Sequence, residues 1–203
     1  MIEEGKRPGV VAAFDFDNTL TDRDSFLPFL FYARGLGSTF WRLGSLTPHF
    51  LAYLVHLYPR EKVKEALLTR FFKGMSYEQM QNLGEAYAQH ELDRFVKSEG
   101  LAKLRWHQSE GHYTLLVSAA PSFYLQAWGK RHGFQATLAT QIEMDANKQA
   151  TGRLDGLNCW GPEKVTRLKQ LLGDKDYTLY AYGDSRGDQE LLALADYPFY
   201  RSF

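Results

Sequence analysis

Four short polar segments carry side chains whose types and spacing could perform chemistry on one substrate. Each segment follows a predicted strand or opens the helix after one, and open parallel sheets bind their ligands at that edge. Two of the carboxylates stand at positions i and i+2, so they leave the strand on the same side. The segments contain Asp15 and Asp17, Ser118, Lys164, and the loop Gly183-Asp184-Ser185-Arg186-Gly187-Asp188.

If these segments converge, four aspartates share one site. Two carboxylates about 4 Å apart repel each other by roughly 4 kcal/mol at an effective dielectric constant near 20. A hard divalent cation would neutralise that repulsion, and ligation by oxygen atoms alone points to Mg²⁺. The serine and the lysine would then hold an anion with several oxygen atoms. This combination is typical of phosphoryl transfer, in which positioning and charge neutralisation do most of the catalysis.

The composition excludes several other classes of protein. The chain has 203 residues, of which 44% are hydrophobic and 15% aromatic, so it is not intrinsically disordered. Lys plus Arg and Asp plus Glu both number 24, which disfavours nucleic acid as a partner. The single cysteine, Cys159, excludes an internal disulfide and fits a reducing, cytoplasmic location. Residues 1–9 carry no apolar signal core, and no uninterrupted apolar stretch of about 18 residues is present.

The elements that must position these segments alternate between strands and helices. This alternation predicts an α/β fold with a Rossmann-like parallel sheet that is covered on both faces. Residues 25–99 read as helical throughout, so we expect a catalytic core of residues 1–24 and 100–203 with a helical cap between them. The predicted strands cover residues 10–14, 112–117, 136–142, 177–182 and 197–200, and the predicted core helices cover residues 121–132 and 162–172.

Two parts of the cap have informative patterns. Residues 60–72 have helical spacing, and Ser76 with Gln79 forms a capping box that opens a second helix. The predicted buried face of that second helix carries Tyr77, Met80, Leu83, Tyr87 and Leu92.

Residues 40–58 are rich in large apolar side chains and admit two interpretations. We favour a cap helix packed on the mouth of the site. The alternative is an interfacial helix that contacts a phospholipid surface.

The order of the polar segments resembles that of the haloacid dehalogenase superfamily. Residues 15–20, Asp-Phe-Asp-Asn-Thr-Leu, are similar to motif I of that family, an Asp-x-Asp-x-Thr/Val-Leu pattern. Ser118, Lys164 and the Gly183–Asp188 loop resemble motifs II, III and IV in the same order. The helical insertion after motif I resembles subfamily I with a C1 cap, as in phosphoserine phosphatases. Residues 117–121 and 161–165 are closer still to subfamily IB, which includes histidinol-phosphatases and a bacterial phosphatidylglycerophosphatase.

The resemblance implies a role for each residue. Asp15 is the nucleophile that forms an aspartyl-phosphate, and it also binds Mg²⁺. Asp17 is the general acid and then the general base, and its backbone carbonyl is a second metal ligand. The remaining roles are metal binding by Asp184, support by Gly183 and Asp188, and phosphate binding by Ser118, Ala119 and Lys164.

The substrate is less constrained by the sequence than the reaction. We expect a small phosphorylated metabolite, such as histidinol phosphate or a phosphoserine-like compound. Ser118-Ala119-Ala120 stands where phosphoserine phosphatases usually have Ser-Gly-Gly, which disfavours phosphoserine itself. One alternative is a phospholipid head group at a membrane surface. Another is a non-catalytic phosphoacceptor or binding protein, and the oligomeric state is left open.

Overall fold

The structure is a computed structural model that describes residues 8–54, 57 and 59–203. Six strands form one sheet in the order β4-β3-β2-β1-β5-β6. The strands are β1 (Val10–Phe14), β2 (Tyr113–Pro121), β3 (Ala136–Met144), β4 (Ala150–Asp155), β5 (Thr178–Gly183) and β6 (Tyr197–Tyr200). The helices are α1 (Phe26–Arg34), α2 (Leu36–Gly44), α3 (Thr47–Leu54), α4 (Arg60–Phe72), α5 (Tyr77–His90), α6 (Ser98–Ser109), α7 (Ser122–Arg131), α8 (Pro162–Leu172) and α9 (Gln189–Leu194).

The central strand β1 pairs in parallel with β2 on one side and β5 on the other. Its side chains alternate between two apolar clusters, one on each face of the sheet. Val11 and Ala13 belong to the cluster that includes Leu168 of α8. Ala12 and Phe14 belong to the cluster that includes α7 and several helices of the insertion. The predicted α/β fold, with a sheet covered on both faces, is therefore confirmed.

The structure differs from the sequence-based expectations at three places. Residues 150–155 form β4, which pairs antiparallel with β3, so the sheet is not wholly parallel. Strand β2 continues to Pro121 with an irregularity in its pairing after Ser118, so α7 begins one residue later than expected. Tyr77 is 52% exposed, because the buried face of α5 is centred on Met80 and Tyr87 instead.

The insertion is attached to the sheet at a stem and through side-chain packing. At the stem, the backbone N–H of Asp22 donates to Phe95 O and that of Lys97 donates to Leu20 O, each at 2.8 Å. The larger apolar cluster contains Phe29, Phe72 and Tyr87 of the insertion together with Phe123, Tyr124 and Trp128 of α7. The division into a core of residues 1–24 and 100–203 and a cap of 25–99 stays a prediction.

Residues 40–54 of the apolar stretch form the end of α2 and all of α3, so this part is two helices instead of the single cap helix that we expected. Leu46 is buried, and Phe50 and Tyr53 line the cavity described below. Leu51 and Leu54, in contrast, are 57% and 69% exposed. Residues 55, 56 and 58 of this stretch, and residues 1–7, lie outside the described residues. No helix within the described part of the chain is long and apolar enough to cross a membrane.

Candidate active site

The loop after β1 places Asp15 at the carboxyl edge of the sheet. The backbone N–H of Asp15 donates to Tyr182 O at 3.0 Å, which extends the pairing with β5 by one residue. The chain then turns tightly through residues 16–20, with Asn18 at a φ of 61°, a conformation that asparagine tolerates better than most residues. This turn brings the Thr19 hydroxyl within 3.0 Å of Asp15 Oδ2 and 3.1 Å of Asp184 Oδ1. Thr19 therefore joins the loops that follow β1 and β5.

Lys164 forms a buried ion pair with two of the aspartates. Helix α8 begins with Pro162 in its first turn, after Gly161 at a φ of 59°, as the sequence predicts. Lys164 Nζ lies 2.6 Å from Asp15 Oδ1 and 2.6 Å from Asp188 Oδ1, and its side chain is 2% exposed. Burial alone would lower the pKa of Lys164, but the two carboxylates outweigh it and raise that pKa. The lysine is therefore charged and fixes both carboxylates.

Asp188 holds the loop after β5 in place. Its Oδ2 accepts hydrogen bonds from the backbone N–H of Asp184 at 3.2 Å, and from the backbone N–H and hydroxyl of Ser185 at 3.0 and 2.8 Å. Burial disfavours its charged form, but Lys164 and these donors outweigh burial and lower the pKa of Asp188. Gly183 is required here because a Cβ atom would overlap the Asp188 side chain.

Three carboxylates lie close enough to bind one cation. Asp15, Asp184 and Asp188 each place an oxygen within 4.8 Å of the others. Such an all-carboxylate donor set fits a hard divalent cation. Burial raises the pKa of Asp15 to about 6, and burial also raises the pKa of Asp184, so both side chains would gain from a positive charge between them. Asp188 is held by three donors on Oδ2 and by Lys164 on Oδ1, and it does not line the cavity. Asp15 and Asp184 do line the cavity, so they are the better side-chain ligands.

Asp17 is held apart from this cluster. Its Oδ1 accepts a hydrogen bond from the backbone N–H of Ser25 at 2.8 Å, just before α1. Burial, together with the nearby Asp24, raises the pKa of Asp17 to about 7. A carboxyl group with such a pKa can carry a proton near neutral pH. The expected metal contact of the Asp17 backbone carbonyl stays a prediction.

The segment after β2 forms another wall of the site. Ser118 is 1% exposed, and its Oγ accepts a hydrogen bond from the backbone N–H of Ala120 at 3.1 Å. The carbonyl oxygen of Ala119 accepts from Thr140 Oγ1 at 2.8 Å and from Lys64 Nζ of α4. The sequence analysis missed Lys64, because one lysine on a helix with polar and charged neighbours carries no distinguishing pattern.

These residues surround a cavity of about 480 Å³. Its polar side includes Asp15, Asp17, Ser118, Ala119 and Asp184, which the sequence analysis selected, together with Asp24, Asn158 and Ser185. Lys164 and Asp188 are buried and are not among the lining residues, so direct contact of Lys164 with a phosphoryl oxygen stays a prediction. The insertion contributes an apolar wall made of Phe26, Phe50, Tyr53, Val63 and Leu67.

Residues 12–193 match the family model described as haloacid dehalogenase-like hydrolase. Among curated relatives, the chain is 34% identical over 201 residues to Protein CicA of Caulobacter vibrioides, covering 99% of this chain and 89% of that protein. It is 27% identical over 209 residues to a histidinol-phosphatase of Neisseria meningitidis, covering 93% of this chain and 88% of that protein.

The fold is similar to that of several solved structures. A protein of unknown function from Bordetella pertussis aligns with a TM-score of 0.78 and 23% identity over 92% of this chain and 86% of that chain. A substrate-bound phosphoserine phosphatase aligns with a TM-score of 0.57 and 14% identity over 95% of this chain and 84% of that chain. At these identities the similarity demonstrates a common fold.

Proposed function

The chain belongs to the haloacid dehalogenase-like hydrolases, and from that membership we propose that it is a Mg²⁺-dependent phosphomonoester hydrolase that works through an aspartyl-phosphate, an acyl phosphate on Asp15. The observation that carries this proposal is the separation of the two aspartates after β1. Asp15 is fixed by Lys164 and Thr19 beside Asp184, whereas Asp17 is held by Ser25. Two carboxylates with different partners in one cavity suit a nucleophile and an acid/base group.

The first half of the reaction transfers the phosphoryl group to the protein. An Asp15 oxygen forms a bond to phosphorus while the bond from phosphorus to the substrate oxygen breaks. Asp17 gives its proton to that departing oxygen, which leaves as an alcohol. Ser118 and the backbone N–H of Ala119 hold the phosphoryl oxygens, and Lys164 keeps Asp15 oriented. When bound by Asp15 and Asp184, Mg²⁺ neutralises part of the charge on the transferred group.

The second half releases phosphate. Asp17, now ionised, takes a proton from a water molecule, and the oxygen of that water bonds to phosphorus while the bond to Asp15 breaks. Asp17 is then protonated again for the next turnover. The raised pKa of Asp17, about 7, supports both roles because neither protonation state is strongly favoured near neutral pH.

We further infer that the substrate is a small phosphorylated metabolite with a partly apolar leaving group. The names of the relatives support this, because they include a histidinol-phosphatase and a phosphoserine phosphatase. The apolar wall from the insertion, with Phe50 and Tyr53, would contact the leaving group while the aspartates contact the phosphate. Membership of subfamily IB and a cytoplasmic location stay predictions. Turnover of a panel with histidinol phosphate, phosphoserine and a lysophospholipid phosphate would identify the class of substrate.

The decisive experiment compares Asp15→Asn and Asp17→Asn on two substrates. With an alkyl phosphate, we expect no turnover by Asp15→Asn and a loss of about 10²–10⁴-fold in Asp17→Asn, because that leaving group needs a proton. With p-nitrophenyl phosphate, Asp17→Asn should still phosphorylate Asp15, and the phosphorylated protein should accumulate because hydrolysis lacks its base. Acid quenching followed by peptide mass analysis locates the phosphate.

Asp22→Asn is the matched control, because Asp22 is an exposed carboxylate of the same loop that pairs with Arg23. It should leave turnover of both substrates unchanged. A phosphate adduct on Ser118 or on Asp17 would overturn the assignment of the nucleophile. Release of a single equivalent of p-nitrophenol by the wild-type protein, with the phosphate retained on Asp15, would instead support the non-catalytic phosphoacceptor.

A further inference from the structure

Helices α2 and α3 expose an unusual concentration of large apolar side chains. The structure describes fourteen large apolar residues as exposed, and seven of them fall within residues 36–57. Trp41 is 76% exposed and Leu54 is 69% exposed. Single exposed apolar residues are ordinary on protein surfaces, but a concentration of this kind marks an interaction site. We use the name α2–α3 surface for five of these side chains, namely those of Leu36, Phe40, Trp41, Leu51 and Leu54.

Helix α3 separates this surface from the active-site cavity. Phe50 and Tyr53, three residues apart, line the cavity, whereas Leu51 and Leu54, also three residues apart, are exposed. Residues three apart lie on the same side of a helix, so the two pairs form two neighbouring apolar stripes. Only the stripe of Phe50 and Tyr53 faces the rest of the protein, at the cavity. The exposed stripe has no partner among the described residues.

The charge around this surface is strongly biased. Residues 25–75 contain seven Lys and Arg residues against two Glu, whereas the rest of the chain contains 17 Lys and Arg against 22 Asp and Glu. Lys62, Arg70 and Lys73 of this segment are exposed. The formal charge of zero for the whole chain therefore combines a net charge of +5 on residues 25–75 (7 minus 2) with −5 on the rest of the chain (17 minus 22).

We propose that the α2–α3 surface docks peripherally on an anionic lipid bilayer. Trp, Phe and Leu side chains insert favourably at the boundary between head groups and acyl chains, and flanking cations are attracted to anionic head groups. A second copy of the chain fits this surface less well. A symmetric pair would place the positive segment of residues 25–75 against its copy, and like charges across an interface oppose association.

Docking at this surface is independent of the proposed hydrolysis. It would hold the mouth of the cavity beside the bilayer, because the same helix contributes to both. The test is therefore binding to vesicles without substrate. Its failure would leave the phosphatase proposal intact, and a failure of the phosphatase proposal would leave vesicle binding intact.

The experiment measures co-flotation of the full chain with vesicles made of equal parts phosphatidylglycerol and phosphatidylcholine, at low salt. We expect binding to these vesicles and not to pure phosphatidylcholine, and we expect binding to weaken as salt is added, because screening reduces the attraction between charges. Trp41→Ser and Leu54→Ser should each weaken vesicle affinity by about tenfold, since each removes a large apolar side chain from the contact. Thermal melting of each variant verifies that the fold is retained.

Tyr77→Ser on α5 is the matched control, because Tyr77 is an exposed aromatic residue outside the α2–α3 surface, and it should bind as the wild type does. The proposal is overturned if the wild type does not float with anionic vesicles at low salt. It is overturned equally if Trp41→Ser and Leu54→Ser bind as tightly as Tyr77→Ser. If the protein does not bind vesicles but dimerises in solution, and Trp41→Ser abolishes the dimer, the α2–α3 surface would be the contact with a second copy of the chain.

Discussion

Removing the buried cation of Lys164 should destabilise the protein far more than removing an exposed lysine. In Lys164→Met, the carboxylates of Asp15 and Asp188 would face each other in a site where they are 6% and 0% exposed. At an effective dielectric constant near 20, each 2.6 Å contact with Lys164 corresponds to about 6 kcal/mol of attraction. Burying the ammonium offsets several kcal/mol of this attraction. We therefore expect Lys164→Met to lower the free energy of unfolding by about 3–5 kcal/mol.

A loss of that size is a large part of the roughly 5–15 kcal/mol that stabilises a typical domain. The assay is urea unfolding in EDTA at neutral pH, followed by circular dichroism. With a slope of about 2 kcal/mol per molar urea, the unfolding midpoint should fall by about 2 M. Lys169→Met, an exposed position on the same helix α8, is the control and should change the free energy of unfolding by less than about 0.5 kcal/mol.

Magnesium provides a second measurement on the same variant. The carboxylates of Asp15 and Asp188 lose their only described cationic partner in Lys164→Met. Added Mg²⁺ should therefore stabilise Lys164→Met more than it stabilises the wild type, because binding to the folded state adds to its stability. If Lys164→Met and Lys169→Met unfold at the same urea concentration in EDTA, the reasoning about the buried ion pair is refuted.

Three further perturbations test other parts of the structure. Gly84→Ala on α5 should lower the free energy of unfolding by about 1–3 kcal/mol, because its Cβ would overlap the carbonyl of Phe123. Gly44→Ala is the control, because a Cβ at Gly44 meets no atom within 4 Å. It should be neutral or slightly stabilising in the same urea titration. Burial lowers the pKa of His107 to about 4, so the folded state favours its neutral form. The contribution of His107 to the free energy of unfolding should therefore be lost as the pH falls from about 6.5 through 4. His107→Gln should therefore flatten the stability profile relative to wild type in that range, whereas an unchanged difference between the two proteins would exclude titration of this histidine. Asp184→Ala and treatment with EDTA should each abolish phosphatase turnover, and full activity in EDTA would remove the carboxylate metal site from the mechanism.

The comparison for His107 must be made between variant and wild type at each pH. The raised pKa values of Asp15 and Asp17 act in the opposite direction, since a carboxyl with a folded-state pKa above its unfolded value gains stability as the pH falls. The wild-type profile alone therefore mixes opposing contributions. Only the difference between the two proteins isolates the imidazole, which hydrogen-bonds the Tyr182 hydroxyl at 2.9 Å and contacts His112 Nδ1 at 2.8 Å.

The sequence predicted the α/β fold because its strands are short apolar runs with clear boundaries. Residues 10–14 and 178–183 are almost wholly apolar and lie in the middle of the sheet. Strand β4 was not predicted, since its sequence, Ala-Thr-Gly-Arg-Leu-Asp, contains a glycine and alternates weakly. It is an edge strand, and its pairing depends on β3 and on contacts with α4, such as the bond from Thr69 Oγ1 to Gly152 O.

For the candidate site, the sequence predicted which aspartates meet but not the hydrogen bonds that position them. Asp15, Asp184 and Asp188 do converge, because each belongs to a loop at the carboxyl edge of neighbouring strands. The contributions of Thr19 and Ser25 could not be predicted, since each acts through a hydrogen bond whose geometry depends on the folded loop. Local sequence specifies which residues can do chemistry, whereas tertiary contacts decide which atoms meet.

The apolar cluster shared by the insertion and the sheet has a consequence for how the molecule opens. Phe29, Phe72 and Tyr87 of the insertion contact the aromatic rings of Phe123 and Tyr124. A rigid swing of the whole insertion away from the sheet would expose all of these rings to water at once. Slow amide hydrogen exchange in α5 and β1 should therefore report one common opening. Helices α2 and α3 contribute little to this cluster, so we expect their amides to exchange faster.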